Sequence, residues 1–289
     1  MNISASTKAY AVLGHPIAHS LSPQMQNAAL QKMGLDAVYL AFDVRPERLI
    51  NTLHVMAEMG FAGANLTVPL KEVAFRGLKN IDPSAKLLGS VNTVKFLGNG
   101  MKGYSTDGHG FLSAMKKSFR SSPSGKSILL LGCGGAGRAV ALACVQAGAA
   151  KISLTDADLN RAKKLMAHIC ALNKKTTVEI IGLTRAERNH AARSAELVIQ
   201  ASPVGMHRAD SPLLDAEAFV KNQMVFDLIY MFPETGLMKI ARKQGARAAN
   251  GLDMLAFQGA RSLEIWTGRR APAEIMRKVL EKAVYGKAQ

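Results

Sequence analysis

A short apolar run, Ile128–Leu131, leads straight into Gly132-Cys133-Gly134-Gly135-Ala136-Gly137, and a helical pattern over Arg138–Ala147 opens behind it. The spacing G-x-G-x-x-G, set between a strand and a helix, constrains the fold more than any other feature of the chain. Gly132 permits the tight turn, Gly134 lets backbone N–H groups approach a pyrophosphate, and Gly137 lets the helix pack closely on the strand. The helix N-terminus faces the phosphates with partial positive charge. Gly132, Gly134, Gly135, Ala136 and Gly137 are therefore candidate dinucleotide ligands. Cys133 sits among them as a small residue.

The next strand-like stretch, Ile152–Thr155, ends in Asp156-Ala157-Asp158. An acidic residue about 20 positions past such a loop binds the adenosine ribose hydroxyls. Asp156 and Asp158 would accept hydrogen bonds from the 2′-OH and repel a 2′-phosphate. NAD is thus expected, with NADP the less favoured form. Arg161, one turn later, is the competing feature. It fits a surface position in the first turn of a helix as well as a swing toward a phosphate.

The remainder divides around a linker, Ser121–Ser127, rich in Ser, Pro, Gly and charge. Before it, Ala9–Leu13, Val38–Val44 and Phe61–Val68 read as strands. Helical patterns lie between them, one following Ser22-Pro23 with Ser22 as N-cap, another opening at Pro46. Val91–Phe96 and Met101–Tyr104 read as a hairpin around Gly98-Asn99-Gly100. Gly108–Phe119 is helical. After the glycine loop, Asn160–Leu172 reads as a helix, and Glu196–Gln200 and Met224–Ile229 as strands. Strands alternating with helices predict parallel pairing with right-handed crossovers. The expected fold is α/β in two domains. Residues 1–107 and 252–289 form a mostly parallel substrate domain completed by C-terminal helices. Residues 108–251 form a Rossmann-like dinucleotide-binding domain. The active site is expected in the cleft between them.

Composition removes several classes. The 289 residues are 48% hydrophobic, enough for two modest cores. No apolar run of about 18 residues predicts a membrane span, and Met1–Lys8 lacks the pattern of a secretory leader. Cys133, Cys144 and Cys170 form no C-x-x-C pair, so a disulfide framework and a structural zinc site are not expected. A cytoplasmic location fits. The net charge of +16 suits anionic small molecules. Its Lys/Arg pairs are scattered without interleaved aromatics, so nucleic acid is not expected as a partner. His15 and His19 are four apart, but Pro16 lies between them and no metal is expected. No G-x-S-x-G elbow supplies a serine nucleophile.

Seven short motifs occur in an order that resembles the shikimate dehydrogenase family, including its quinate/shikimate branch, over nearly the whole length. Ser20-Leu21-Ser22-Pro23 resembles S-x-S-P, which in the family holds the substrate carboxylate. Asn65-Leu66-Thr67-Val68-Pro69-Leu70-Lys71 resembles N-V-T-x-P-x-K, with its catalytic lysine. Ser90-Val91-Asn92-Thr93 resembles A-V-N-T, whose asparagine touches ring hydroxyls. Thr106-Asp107-Gly108 resembles the end of N-T-D-G, whose aspartate partners the lysine. Ser202-Pro203-Val204-Gly205-Met206 resembles S/T-P-x-G-M near the nicotinamide. Asn250-Gly251-Leu252-x-Met254-Leu255-x-x-Gln258 resembles N/D-G-L-x-M-L-x-x-Q, whose glutamine reaches the substrate. Trp266-Thr267-Gly268 is similar to a further signature.

The resemblance implies a hydride transfer between the dinucleotide and a ring hydroxyl of shikimate or quinate, with the corresponding dehydro acids as ketones. Lys71 and Asp107 would handle the hydroxyl proton. Ser20 and Ser22 would fix the carboxylate, although Ser22 suits helix capping equally well. Thr67, Asn92 and Gln258 would read ring hydroxyls, a means of rejecting analogues that lack them. Tyr230, read as ending the last Rossmann-like strand, is either a further polar contact or interface packing. Ser202, Gly205, Met206, Gly251 and Met254 would flank the nicotinamide. Departures from the family pattern narrow the expectation. Ser105 replaces the asparagine of N-T-D-G, and Gln26 stands where many members carry histidine. Asp156-Ala157-Asp158-Leu159-Asn160-Arg161 replaces an NADP-type N-R-T-x-x-R. The alternatives are a related cyclohexane or cyclohexene carboxylate, such as an aminoshikimate analogue, or a regulator that binds NAD without turnover. The expected assembly is a monomer or homodimer.

Overall fold

The structure is a computed structural model and describes residues 3–286. The chain forms two compact units, one running to Gly110 and resuming at Leu255, the other spanning Phe111–Met254.

The first unit begins with β1 (Lys8–Gly14), α1 (Ser22–Lys32), β2 (Ala37–Asp43), α2 (Leu49–Glu58) and β3 (Gly63–Leu66). It continues through α3 (Leu70–Gly77), α4 (Pro83–Leu88), β4 (Thr93–Leu97) and β5 (Gly100–Tyr104) into α5 (Asp107–Phe119), where the chain passes to the second unit. The sheet order is β2-β1-β3-β4-β5. The first three strands are parallel, and β4 and β5 add an antiparallel hairpin. Helices cover both faces of β1, which explains why Ala11, Val12 and Leu13 are all buried rather than alternating. One face packs on α2 through Leu49, Leu53 and Met56. The expected cap of α1 is displaced: the helix already includes Ser22, and Leu21 occupies the N-cap position without a side-chain bond. Pro23 sets the first turn, so capping does not claim the Ser22 hydroxyl.

The second unit continues with β6 (Ser127–Leu131), α6 (Gly135–Gln146), β7 (Lys151–Thr155), α7 (Leu159–Leu172), β8 (Thr177–Ile180) and α8 (Arg185–Ser194). It then runs through β9 (Leu197–Gln200), β10 (Met224–Asp227), α9 (Gly236–Lys243) and β11 (Arg247–Asn250). Its six strands are all parallel, in the order β11-β10-β9-β6-β7-β8. The chain starts in the middle at β6, builds outward to β8, and then returns to β9 on the other side. This reversal between β6 and β9 creates the crevice at the carboxyl ends of the strands where doubly wound sheets bind ligands. The strand expected over Met224–Ile229 stops at Asp227, and β11 follows it. Tyr230 therefore lies in a loop three residues past β10, not at the end of the last strand.

Two last helices, α10 (Leu252–Thr267) and α11 (Ala273–Tyr285), return the chain to the first unit. Trp266 anchors this return. Its ring stacks on Tyr10 at 5.0 Å and its indole N–H donates to the Val94 carbonyl at 2.9 Å. Gly63 leaves room for that ring, since a Cβ there would run into it. No helix among the described residues is long and apolar enough to cross a membrane.

Candidate active site

In the first unit, four polar residues from distant parts of the chain meet. Lys71 lies in the first turn of α3, just past the end of β3, and its ammonium donates to Asp107 Oδ2 at 2.8 Å. Asp107 opens α5. Its other oxygen accepts from Asn92 Nδ2 at 2.8 Å. The same Asn92 nitrogen donates to Gln258 Oε1 at 3.3 Å, which brings α10 into the cluster. Asn92 is buried, whereas the Lys71 side chain keeps 29% of its surface exposed. Lys71 is thus the member of the group that presents unused N–H bonds outward. The pair is no surface ion pair: Asp107 is 11% exposed at its side chain and holds hydrogen bonds from both sides. Such a carboxylate can hold an amine in one position and share its proton, the requirement for proton transfer to or from a hydroxyl.

Ser20, Ser22 and Thr67 lie around the carboxyl ends of β1 and β3. All three are half-buried. Ser20 Oγ accepts from the Ser22 backbone N–H at 3.3 Å, folding the β1–α1 turn on itself. Thr67 is tied by its backbone, donating to the Leu13 carbonyl at 2.9 Å, so its hydroxyl is not needed to hold the chain. The Ser22 hydroxyl lies near the phenol of Tyr39, whose titration burial pushes well up.

In the second unit the glycine loop has the form its spacing predicts. Gly132 adopts φ +100°, and a Cβ there would lie 2.7 Å from the Ser202 backbone nitrogen. At Gly137 a Cβ would strike the Gly132 carbonyl. Gly134 and Gly135 face open space, and α6 starts after Gly134 with no side-chain cap. Gly135 and Ala136 are exposed. The helix end thus lacks a side-chain cap and opens onto the space beside Gly134 and Gly135, which fits a pyrophosphate. Cys133 contributes no thiolate: burial, reinforced by the Asp156 carboxylate, pushes its pKa up to about 12.

The acidic pair at the end of β7 has roles that spacing does not reveal. Asp156 Oδ2 accepts from the Cys133 backbone N–H at 2.7 Å, and Oδ1 from the Asp158 N–H at 2.8 Å. Asp156 thus braces the glycine loop while keeping lone pairs for a ligand. Asp158 caps α7 by accepting from Asn160 N–H, and Arg161 Nε lies 3.6 Å from its other oxygen.

Ser202, Gly205 and Met206 form the loop after β9. Gln200 folds back onto it, taking the Ser202 N–H at 3.1 Å and donating to the Val204 carbonyl at 2.5 Å. Asp210 accepts from the N–H groups of Gly205 and His207. A Cβ on Gly205 would meet Ile229 at 3.2 Å, and one on Gly251 would press into the Leu228 carbonyl. The loops after β9, β10 and β11 therefore close on one another around Gly205, Ile229 and Gly251. Met206 is exposed; Tyr230 and Met254 are half-buried. Burial raises the Tyr230 pKa, which keeps its hydroxyl protonated. Beside this loop a cavity of about 250 Å³ is lined by Gln200, Gly205, Asp210, Asp227 and Thr235 among others.

Comparison with known proteins adds the decisive observation. Residues 12–94 match the family model of the shikimate dehydrogenase substrate binding domain, and residues 251–281 that of the shikimate 5′-dehydrogenase C-terminal domain. A curated shikimate dehydrogenase (NADP(+)) from Methanopyrus kandleri is 39% identical over 97% of both chains. The chain belongs to the shikimate dehydrogenase family. Among solved structures of the family, shikimate 5-dehydrogenase from Listeria monocytogenes, in complex with shikimate and NAD, superposes with a TM-score of 0.91 at 30% identity. It covers 97% of this chain and 98% of that one. Quinate dehydrogenase from Corynebacterium glutamicum in complex with NAD gives a TM-score of 0.86 at 28% identity, covering 94% of this chain and 98% of that one.

Two departures from the shikimate dehydrogenase pattern take definite places. Gln26 is buried and donates to the Gly259 carbonyl at 3.0 Å, so it fastens α1 to α10. Ser105 is buried with its hydroxyl lacking a partner, while its backbone N–H donates to Ser84 Oγ at 3.2 Å. Residues that pattern reading passed over are the supports: Tyr39, Thr93 and Ser262 behind Asn92, and Gln200, Asp210 and Asp227 behind the loops. Gln200 and Asp227 each end an apolar strand and burial distinguishes them, whereas Asp210 lies half-buried in a polar loop.

Proposed function

We propose that the chain oxidises and re-forms a ring hydroxyl of shikimate or quinate, with NAD as the preferred dinucleotide. The observation that carries this is the Lys71–Asp107 pair, braced by Asn92 and joined to Gln258. Ser20 and Ser22 hold the substrate carboxylate with hydroxyl donors, and Thr67, Asn92 and Gln258 read the ring hydroxyls. Tyr230 supplies a further polar contact. Gly132–Gly137 would hold the dinucleotide, flanked by Ser202, Gly205, Met206, Gly251 and Met254, and when bound it would supply or accept the hydride. In the oxidising direction the neutral Lys71 amine takes the hydroxyl proton while still bonded to Asp107. In the reducing direction its ammonium returns that proton to the carbonyl oxygen.

The preference for NAD rests on charge. Asp156 and Asp158 place two carboxylates at the end of β7, and a 2′-phosphate brought there would meet both. Arg161 leans on Asp158, which offsets its attraction for a phosphate. The three cysteines are free, two of them buried, which suits the cytoplasm. A monomer or homodimer is the proposed assembly.

A second reading rests on Ser105. It replaces the asparagine of N-T-D-G two residues from Asp107 and leaves a buried hydroxyl without a partner, so an amide that reads or supports the ring in the family pattern is missing. A related cyclohexane or cyclohexene carboxylate, such as an aminoshikimate analogue, would then be the substrate. The test is a four-way comparison of initial rates, shikimate and quinate each with NAD and NADP. Fast NAD reduction with either acid is expected, and the ratio of the two acids names the substrate. Equal or faster rates with NADP would remove the cofactor preference. Negligible rates in all four, with NAD still bound, would favour the analogue substrate or a regulator.

A further inference from the structure

Behind the Lys71–Asp107 pair lies a buried chain of hydrogen bonds that runs from Tyr39 to Asp107. The phenol of Tyr39 donates to Asn65 Oδ1 at 2.7 Å. That fixes the Asn65 amide, whose nitrogen donates to Ser262 Oγ at 2.9 Å and to the Asn92 carbonyl at 3.0 Å. Thr93 Oγ1 donates to Asn92 Oδ1 at 2.9 Å. Thr93 Oγ1 and Ser262 Oγ lie 2.7 Å apart, and the Ser262 hydroxyl also reaches the Gln258 carbonyl at 3.1 Å. Asn92 Oδ1 also takes the Thr106 backbone N–H at 2.9 Å. Its nitrogen is thereby turned toward Asp107 Oδ1 and Gln258 Oε1. A flipped Asn92 would set N–H against N–H at Thr106 and carbonyl against carboxylate at Asp107. Both are costly in a site where Thr93, Thr106 and Ser262 are fully buried.

We infer that Tyr39 and Ser262 are positioning residues for the reaction: through Asn65, Thr93 and Asn92 they hold Asp107, and hence the Lys71 amine, in its working orientation. The chain starts beside Ser22, whose hydroxyl lies near the Tyr39 phenol. It therefore joins the residue proposed to hold the carboxylate to the pair proposed to move the proton. The inference rests on the dehydrogenase reading for what the positioning serves, while the positioning itself is open to direct measurement.

The experiment uses Tyr39→Phe, which keeps the ring and removes the donor, Ser262→Ala, and the double variant. Each is assayed well below its melting midpoint. Each single variant is expected to lower kcat threefold to tenfold while the KM for the dinucleotide stays within twofold. The double variant should be no worse than the poorer single one, because either change breaks the same chain. In 15N-labelled protein the two Asn92 side-chain amide protons should exchange slowly with water in the wild type and much faster in both variants. Wild-type kcat and unchanged Asn92 exchange in Tyr39→Phe would overturn the inference, and so would an effect confined to the melting midpoint. If the wild-type chain turns over neither acid, the dehydrogenase reading fails and the Asn92 exchange alone decides the positioning.

Discussion

At the scale of single residues, the functional clusters are held by buried polar groups, and one of them titrates far from its ordinary range. Asp227, at the end of β10, accepts from the Ile229 N–H and from the Thr235 hydroxyl that caps α9. Burial outweighs these bonds and raises its pKa from 3.8 to about 6. A carboxyl group raised in the folded state favours folding most while protonated. Its contribution is complete below about pH 4 and is lost as pH rises through 6. The loss amounts to about 2 to 3 kcal/mol. Urea unfolding of Asp227→Asn and wild type at pH 4.5 and pH 7.5 should show the variant gaining on the wild type by roughly that amount. A difference independent of pH would show that Asp227 titrates normally. The same residue marks a limit of pattern reading. Lys71, Asp107, Asn92 and Gln258 stand in recognisable strings, and the fold gathers them into one cluster. Asp227, Tyr39 and Ser262 stand in strings that read as ordinary strand or helix, and only the three-dimensional neighbourhood reveals what they hold.

At the scale of elements, the glycine loop is the feature where sequence and backbone agree most closely. Gly132 needs a positive φ and lies too close to Ser202 for any side chain. Gly132→Ala should cost about 1 to 3 kcal/mol in stability from backbone strain alone. It should also weaken NAD binding tenfold or more, because the turn and the Ser202 loop must separate. Thermal melting together with a fluorescence titration with NADH measures both. Wild-type affinity would mean that the turn yields enough to take a side chain. Elements with strong periodicity were legible: β1, β6, β7, α2, α5 and the β4–β5 hairpin stand within a few residues of their expected places. The short ones were not. β11, Arg-Ala-Ala-Asn, has no β-branched or aromatic residue, and β8 has no fully buried one. Helix α8 has few apolar residues. Its start is signalled only by the capping box of Thr184 and Glu187. In each case the neighbouring strands and helices, rather than local preference, determine the conformation.

At the scale of the whole molecule, the net charge of +16 acts on ligands that are themselves anions. A shikimate-type acid and a dinucleotide both approach through a positive field that salt screens within about 8 Å at physiological ionic strength. Raising salt from about 0.05 to 0.5 M should lower kcat/KM for both substrates severalfold and leave kcat nearly unchanged. Salt-independent kcat/KM would place the excess cations away from the approach path.

The return of α10 and α11 to the first unit has a consequence for how the protein is made. The unit that opens the chain is closed by helices synthesised only after the other unit has been made. Until then Tyr10 lacks its stacking partner, the Val94 carbonyl lacks the Trp266 N–H, and Asn92 lacks Gln258. The stretch Phe111–Met254 is uninterrupted and holds all six strands of its own sheet, so its fold waits for no later residues. The Lys71–Asp107–Asn92–Gln258 cluster is therefore completed last, so a nascent chain can carry a finished glycine loop well before that cluster closes.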